Sequence, residues 1–296
     1  MQINLPEIRF GVAGWSYPDW EGYVYEKRQK NKLRFIAAFV DIIEINNTFY
    51  RMPEKENVLN WFNQIKDIPH KFFSLKLHQL FTHHKEYSKD DVNKFKENVM
   101  PLMEANRLSH ILAQFPQYFN FTEKNKHTIQ EIEKHFSFHD IQLVFELRHK
   151  SWRTIEAFSF LTSHNISISA IDSPIDEDYS FIPHPQLTGK NAYFRLHGRN
   201  KTAWEDEDAG RNETYNYLYN STEIKNLAEN IRKLAQNAKS VTVIGNNHFR
   251  GKELVNVLEL KTELTNKKAK APHLLLSKYP HLKQICEEEI EQQNLI

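Results

Sequence analysis

Residues Asp41 to Pro53 read DIIEINNTFYRMP. Ile42, Ile43 and Ile45 are β-branched in a short run that stops at Asn46-Asn47 and then at Arg51-Met52-Pro53, which predicts a buried strand ending in a loop. Side chains alternate across a strand, so Ile43 and Ile45 share one face while Glu44 and Asn46 share the other, just before the strand ends. A carboxylate desolvated alone in that position would cost several kcal/mol. Either cations meet it inside the fold or it lines a wet pocket.

Seven more runs of this kind surround it: IRFGVAG from Ile8, KFFSLKL from Lys71, SHILAQF from Ser109, IQLVFEL from Ile141, ISISAID from Ile166, AYFRLHG from Ala192 and VTVIGNN from Val241. Their starts are about 33 residues apart, the length of a strand, a crossover helix and two loops. Helical patterns fill the gaps at Lys32–Phe39, Glu54–Ile65, Ser88–Asn106, Thr122–His135, Trp152–His164, Ser221–Ala238 and Lys252–Leu260, with Ser88, Thr122 and Ser221 placed as N-caps. Strand and helix alternating eight times predict an α/β fold, a parallel eight-stranded (β/α)8 barrel with helices outside. It is read as a single domain over residues 1–296, with long loops at 172–190 and 199–220. Pro174, Pro183 and Pro185 mark the first loop as a lid or binding loop, or as variable surface. A polar tail begins at about residue 262, with a last helix expected at Leu282 to Gln293.

Composition agrees with one large core: of 296 residues, 40% are hydrophobic and 26% charged. The formal charge of +1 leaves no global basic footprint, so nucleic acid would have to be met by a local patch. A lone Cys286 fits a reducing compartment and is expected to be inert. The N-terminal MQINLPEIRFG lacks the pattern of a secretion signal, and no run reaches about 18 apolar residues, so a cytoplasmic location without membrane contact is expected.

Applying the alternation to every strand exposes a second pattern. One face is apolar throughout, whereas the other turns polar near the C-terminal ends, at Glu44 and Asn46, Lys76 and His78, Gln114, Glu146 and Arg148, Arg195 and His197, and Asn246 with Asn247. In (β/α)8 proteins those ends form the mouth where chemistry resides. Loop aromatics Trp15, Tyr17 and Tyr50, with Trp20, Phe49 and Trp152, would stand on its rim. The plain alternative is an ion-pair network, Glu44 and Glu146 against Lys76, Arg148 and Arg195. Two carboxylates against three cations leave a surplus of +1, which an anionic ligand would complete.

The blocks GVAGWSYPDWEGYVY, EINNTFYRMP, ILAQFPQYF, FELRHKSW, YFRLHGR and GNNHFRG, in that order from residue 10 to about 260, resemble those of the YecE-like family, domain of unknown function 72. The resemblance implies a (β/α)8 barrel, but the family has no established activity and transfers no catalytic role. Where that family commonly carries Phe-Asn-Asn in its eighth strand, this chain has Ile244-Gly245-Asn246-Asn247, with both amides kept.

Three functions are compatible with these residues. The first is a hydrolase or isomerase acting on a phosphorylated or otherwise anionic small molecule, with Glu44 or Glu146 as base, His197 as acid/base and Lys76, Arg148 and Arg195 clamping the anion. Asn46, His78, Gln114, Asn246 and Asn247 would contact the substrate. The second is a metal-dependent phosphoesterase or nuclease-like protein, drawing divalent-metal ligands from Glu146, Asp172, His197 and His78; interleaved cations disfavour it. The third is a non-catalytic protein binding nucleic acid or a metabolite. Without a glycine-rich phosphate loop no nucleotide cofactor is implied, and none is predicted. Oligomeric state is not legible in the sequence.

Overall fold

Eight parallel strands close on themselves: β1 (Glu7–Val12), β2 (Ile42–Ile45), β3 (Phe72–Lys76), β4 (Leu108–Gln114), β5 (Gln142–Glu146), β6 (Ser167–Asp172), β7 (Ala192–Leu196) and β8 (Ser240–Gly245), with β8 paired back onto β1. This is the computed structural model of the chain, and it describes residues 6–84, 86–174, 186–206 and 208–289. Around the barrel run α1 (Lys32–Ala37), α2 (Lys55–Ile65), α3 (Lys89–Glu104), α4 (Glu123–Phe136), α5 (Ile155–Ser163), α6 (Lys201–Glu205), α7 (Arg211–Thr214), α8 (Ser221–Ala235) and α9 (Lys252–Thr265). The expected (β/α)8 barrel is therefore the architecture present.

The alternation explains how the barrel is filled. Outward residues such as Ile43, Ile45, Phe73, Leu75 and Ile111 are buried against Val58, Trp61, Phe95 and Val99 of the outer helices. Phe194, Leu196 and Val243 pack likewise on Ile224, Leu227 and Ile231 of α8. Each such fully buried side chain contributes roughly 1.5–3 kcal/mol relative to exposure. Inside, Ala13, Ile42, Leu112, Val144, Tyr193 and Ile244 form a separate apolar plug. These side chains fill the barrel interior beside the polar residues, so it is a packed core rather than a pore.

Local signals set the helix starts. Ser88 accepts from Asp91 N and completes a capping box, and Thr122 accepts from Asn125 N. For α8 the expected cap at Ser221 is corrected by one residue: Asn220 accepts from Thr222 N and Glu223 N, and the Glu223 carboxylate returns to the Asn220 amide. The loop 199–220 holds the short helices α6 and α7, and most of 172–190 falls outside the described residues.

The helix expected at Leu282 to Gln293 is also corrected. A 3₁₀ turn spans Pro280–Gln284, and Cys286–Glu289 (β10) pairs in parallel with Ala269–Pro272 (β9), while residues 290–293 lie outside the described residues. Between the two strands lies α10 (His273–Lys278). The apolar run of the tail is too short to face a helix onto the barrel, whereas Cys286 and Ala271 fit an edge pairing buried on one side.

Candidate functional site at the barrel mouth

Carboxylates from two strands, β2 and β5, converge on one guanidinium carried by a third, β7. Arg195 of β7 donates from Nε to Glu44 Oε2 at 3.1 Å and from Nη2 to Glu44 Oε1 at 2.6 Å, and its Nη1 bonds Glu146. Arg148 then donates from Nε to the other Glu146 oxygen at 2.7 Å. Tyr193 OH reaches Glu44 Oε2 at 2.9 Å and lies 2.9 Å from Ser74 Oγ. Glu44, Glu146 and Arg195 are fully buried. Burial would push the Glu146 carboxyl up, yet Arg148 and Arg195 hold it well below its usual range. Burial would likewise lower Arg195, but Glu146 and Glu44 outweigh it and keep the guanidinium charged.

The ion-pair network weighed from the sequence is thus built, with one member left outside it. Lys76 is half-buried, and its Nζ lies 3.0 Å from the neutral amide oxygen of Gln114. Burial first, and then Arg195, lower its pKa to about 7. Arg148 keeps its side chain 15% exposed, so of the two arginines on Glu146 it is the one whose side chain reaches solvent. Arg195, expected to clamp an anion, has all three guanidinium nitrogens bonded to carboxylates and no exposed surface. The fork is already occupied by the fold's own carboxylates.

His197 stands in the same layer, with Nε2 at 3.4 Å from Arg195 Nη1 and Nδ1 at 2.7 Å from the Asn246 amide. Arginine can only donate, so both contacts are satisfied when Nε2 accepts and the Asn246 amide, whose Nδ2 is the atom placed against Nδ1, is assigned the other way round with its oxygen facing the Nδ1 proton. Burial, followed by Arg195, holds the ring well below its usual pKa and hence neutral. Both nitrogens are engaged within the protein.

Other expected residues separate into two groups. Asn46 donates to Ala13 O at 2.9 Å while its Oδ1 is buried without a partner, and Tyr17 OH also bonds Ala13 O. Asn247 is turned away, donating to Tyr217 O at 2.8 Å and Asn256 Oδ1 at 2.9 Å. His78 is tied into its own turn by Leu80 N at 3.2 Å. Trp15 packs edge-on to Trp61 of α2, and Tyr50 is 66% exposed beside Phe49. Trp20 and Trp152 are core residues whose indoles donate to His248 O and Phe119 O.

The four donors considered for a metal are not brought together. Asp172 points outward into a bidentate pair with Arg199 and a bond from Tyr219 OH, and Glu146 is held by arginines. Among the described residues no three His, Cys, Asp or Glu side chains form a metal-ligand group.

Sequence reasoning missed Tyr193, Glu253 and His248. Tyr193 carries the same inward parity as Arg195 and was discoverable from it. Glu253 opens α9 and reads as an ordinary first-turn carboxylate, but Gly245 lets the helix lie on β8, where a Cβ would sit 2.8 Å from Glu253 O. The Glu253 carboxyl is consequently fully buried, accepting from Ala13 N at 3.3 Å. His248 stacks on Tyr17 at 4.4 Å and 5°, with burial and Arg211 lowering its pKa to about 3.

Comparison with known proteins places the chain among relatives. The family model described as "Protein of unknown function DUF72" matches residues 9–280. UPF0759 protein YunF of Bacillus subtilis is 27% identical over 275 residues, covering 86% of this chain and 95% of its own. A DUF72 family crystal structure from Thermotoga maritima superposes with a TM-score of 0.76 at 31% identity, over 87% of this chain and 99% of that one. Another from Enterococcus faecalis gives 0.74 at 28% identity, over 87% and 95%.

Proposed function

The chain belongs to the DUF72 family of proteins of unknown function, and from that premise we propose that it is an enzyme acting on a small anionic molecule at the C-terminal mouth of its barrel. One observation carries this reading. The network of Glu44, Arg195 and Glu146 balances its own charge together with Arg148, while Lys76 and the outer edge of Arg148 stay available to a ligand. A merely structural network needs no unpaired lysine at its open side. Arg148 is the anchor for the anion, because its partly exposed side chain ends in a planar guanidinium with Nη1 not spent on Glu146. Lys76, poised near neutrality, is the group that moves a proton. Glu146 holds the Arg148 guanidinium and the Gln114 amide holds Lys76 beside it. A cytoplasmic location belongs to the same proposal, supported by the single Cys286, whose thiol burial pushes up to about 12.

Calorimetric titration with inorganic phosphate tests the anion site. Saturable binding is expected, weakened roughly ten- to a hundredfold by Arg148→Lys, the loss of a charge-assisted contact of about 1.5–3 kcal/mol. An anion near Lys76 favours its protonated form, so binding at pH 7.5 should take up protons and its heat should vary with buffer. Absence of saturable binding at millimolar phosphate, or equal affinity in the variant, would count against the reading.

A further inference from the structure

Lys76 is charged from four directions and paired with none of them. Glu44 on β2, Glu146 and Arg148 from β5 and Arg195 on β7 all act on it electrostatically. Both carboxylates are turned to guanidinium groups, and among the described residues Lys76 forms no ion pair within 4 Å. Its near neighbours are the Gln114 amide oxygen at 3.0 Å and the Phe49 ring at 5.8 Å. An amide oxygen accepts one N–H bond and leaves the nitrogen lone pair free to face the mouth. A lysine crowded by guanidinium groups in a desolvated site is the arrangement that turns an ammonium into a nucleophilic amine.

We propose that Lys76 forms a covalent imine with the carbonyl carbon of an anionic aldehyde or ketone held by Arg148. This deepens the reading above and rests on it. Nζ attacks the carbonyl carbon and passes a proton to the former carbonyl oxygen, giving a carbinolamine. Loss of that hydroxyl as water, with one proton from solvent, leaves a protonated imine. With Lys76 neutral, Glu44, Glu146, Arg148 and Arg195 sum to zero charge. The imine adds one positive charge, and the anionic group of the substrate supplies its counter-charge. The substrate class is therefore a carbonyl compound bearing a carboxylate or phosphate.

Pyridoxal 5′-phosphate, an aldehyde carrying a phosphate, is a suitable probe. The full chain is incubated with it between pH 6 and 9, reduced with borohydride and mapped by peptide mass spectrometry. One pyridoxyl group is expected on Lys76, attached about tenfold or more faster at pH 7 than to any exposed lysine, with a half-maximal rate near neutrality. Inorganic phosphate should compete, and Lys76→Arg should lose the modification. The wild-type pH profile needs no variant, so it decides the matter even if Lys76→Arg does not fold. Labelling spread over surface lysines without preference for Lys76, or a half-maximal rate above pH 9, overturns the imine. If phosphate still binds in that case, the anion reading survives alone. Labelling at Lys76 indifferent to phosphate supports the imine and removes the anion site.

Discussion

Glu253 is a carboxyl whose protonated form the fold favours. Burial raises its pKa well above the ordinary range, the single bond from Ala13 N opposes this only partly, and the charge of Glu44 adds to it; Oε1 has no partner. A group raised on folding contributes stability that is fully present below its unfolded pKa of about 4.3 and is lost as pH climbs through the folded value. Between those limits wild-type stability should fall by about 1.4 kcal/mol per pH unit from this residue. Glu253→Gln keeps the shape and removes the proton. Denaturant unfolding at pH 5, 6.5 and 8 should show the variant gaining on wild type as pH rises, until the folded value is passed. A difference that is the same at all three values would mean that Glu253 does not titrate in this window.

Among the elements, α8 shows how narrowly a helix start is chosen. Ser221 and Asn220 are both good cap types, but only the Asn220 oxygen meets the amides of Thr222 and Glu223, while Glu223 also accepts from Arg199 and Tyr217. The cap thus ties the helix to the segment that follows β7. Asn220→Ala should lower stability by about 1 kcal/mol and Ser221→Ala should be nearly neutral. Thermal melts of the two variants compare them directly; a larger loss at Ser221 would reverse the assignment.

For the whole molecule, Arg195 fastens β7 to β2 and β5 across the barrel interior. Replacing it alone leaves Glu44 buried without a cation and Glu146 with Arg148 only. Arg195→Met should therefore destabilise by about 3–5 kcal/mol, whereas adding Glu44→Leu and Glu146→Leu should recover much of that loss. Equilibrium unfolding of the single and triple variants is the measurement, and a triple variant no more stable than the single one would show that the network does more than compensate itself.

Much of this was legible in one dimension. Alternation is a local property of a strand, so the inward parity of Glu44, Lys76, Glu146, Arg195 and His197 followed from spacing alone, and the regular recurrence of strands implied the closed barrel. Parity says which way a side chain points, not what it meets. Whether Arg195 would bind a ligand or the two glutamates depended on distances across the barrel, and there the carboxylates reached it from both sides. Leaving Lys76 with Gln114, rotating Asn247 outward to Asn256, and seating Glu253 over Gly245 were decided by packing between elements far apart in the chain. Local alternation and spacing were enough for the barrel and its polar end; which charges neutralise one another was settled in three dimensions, because ion pairing is set by proximity and desolvation that no local period encodes.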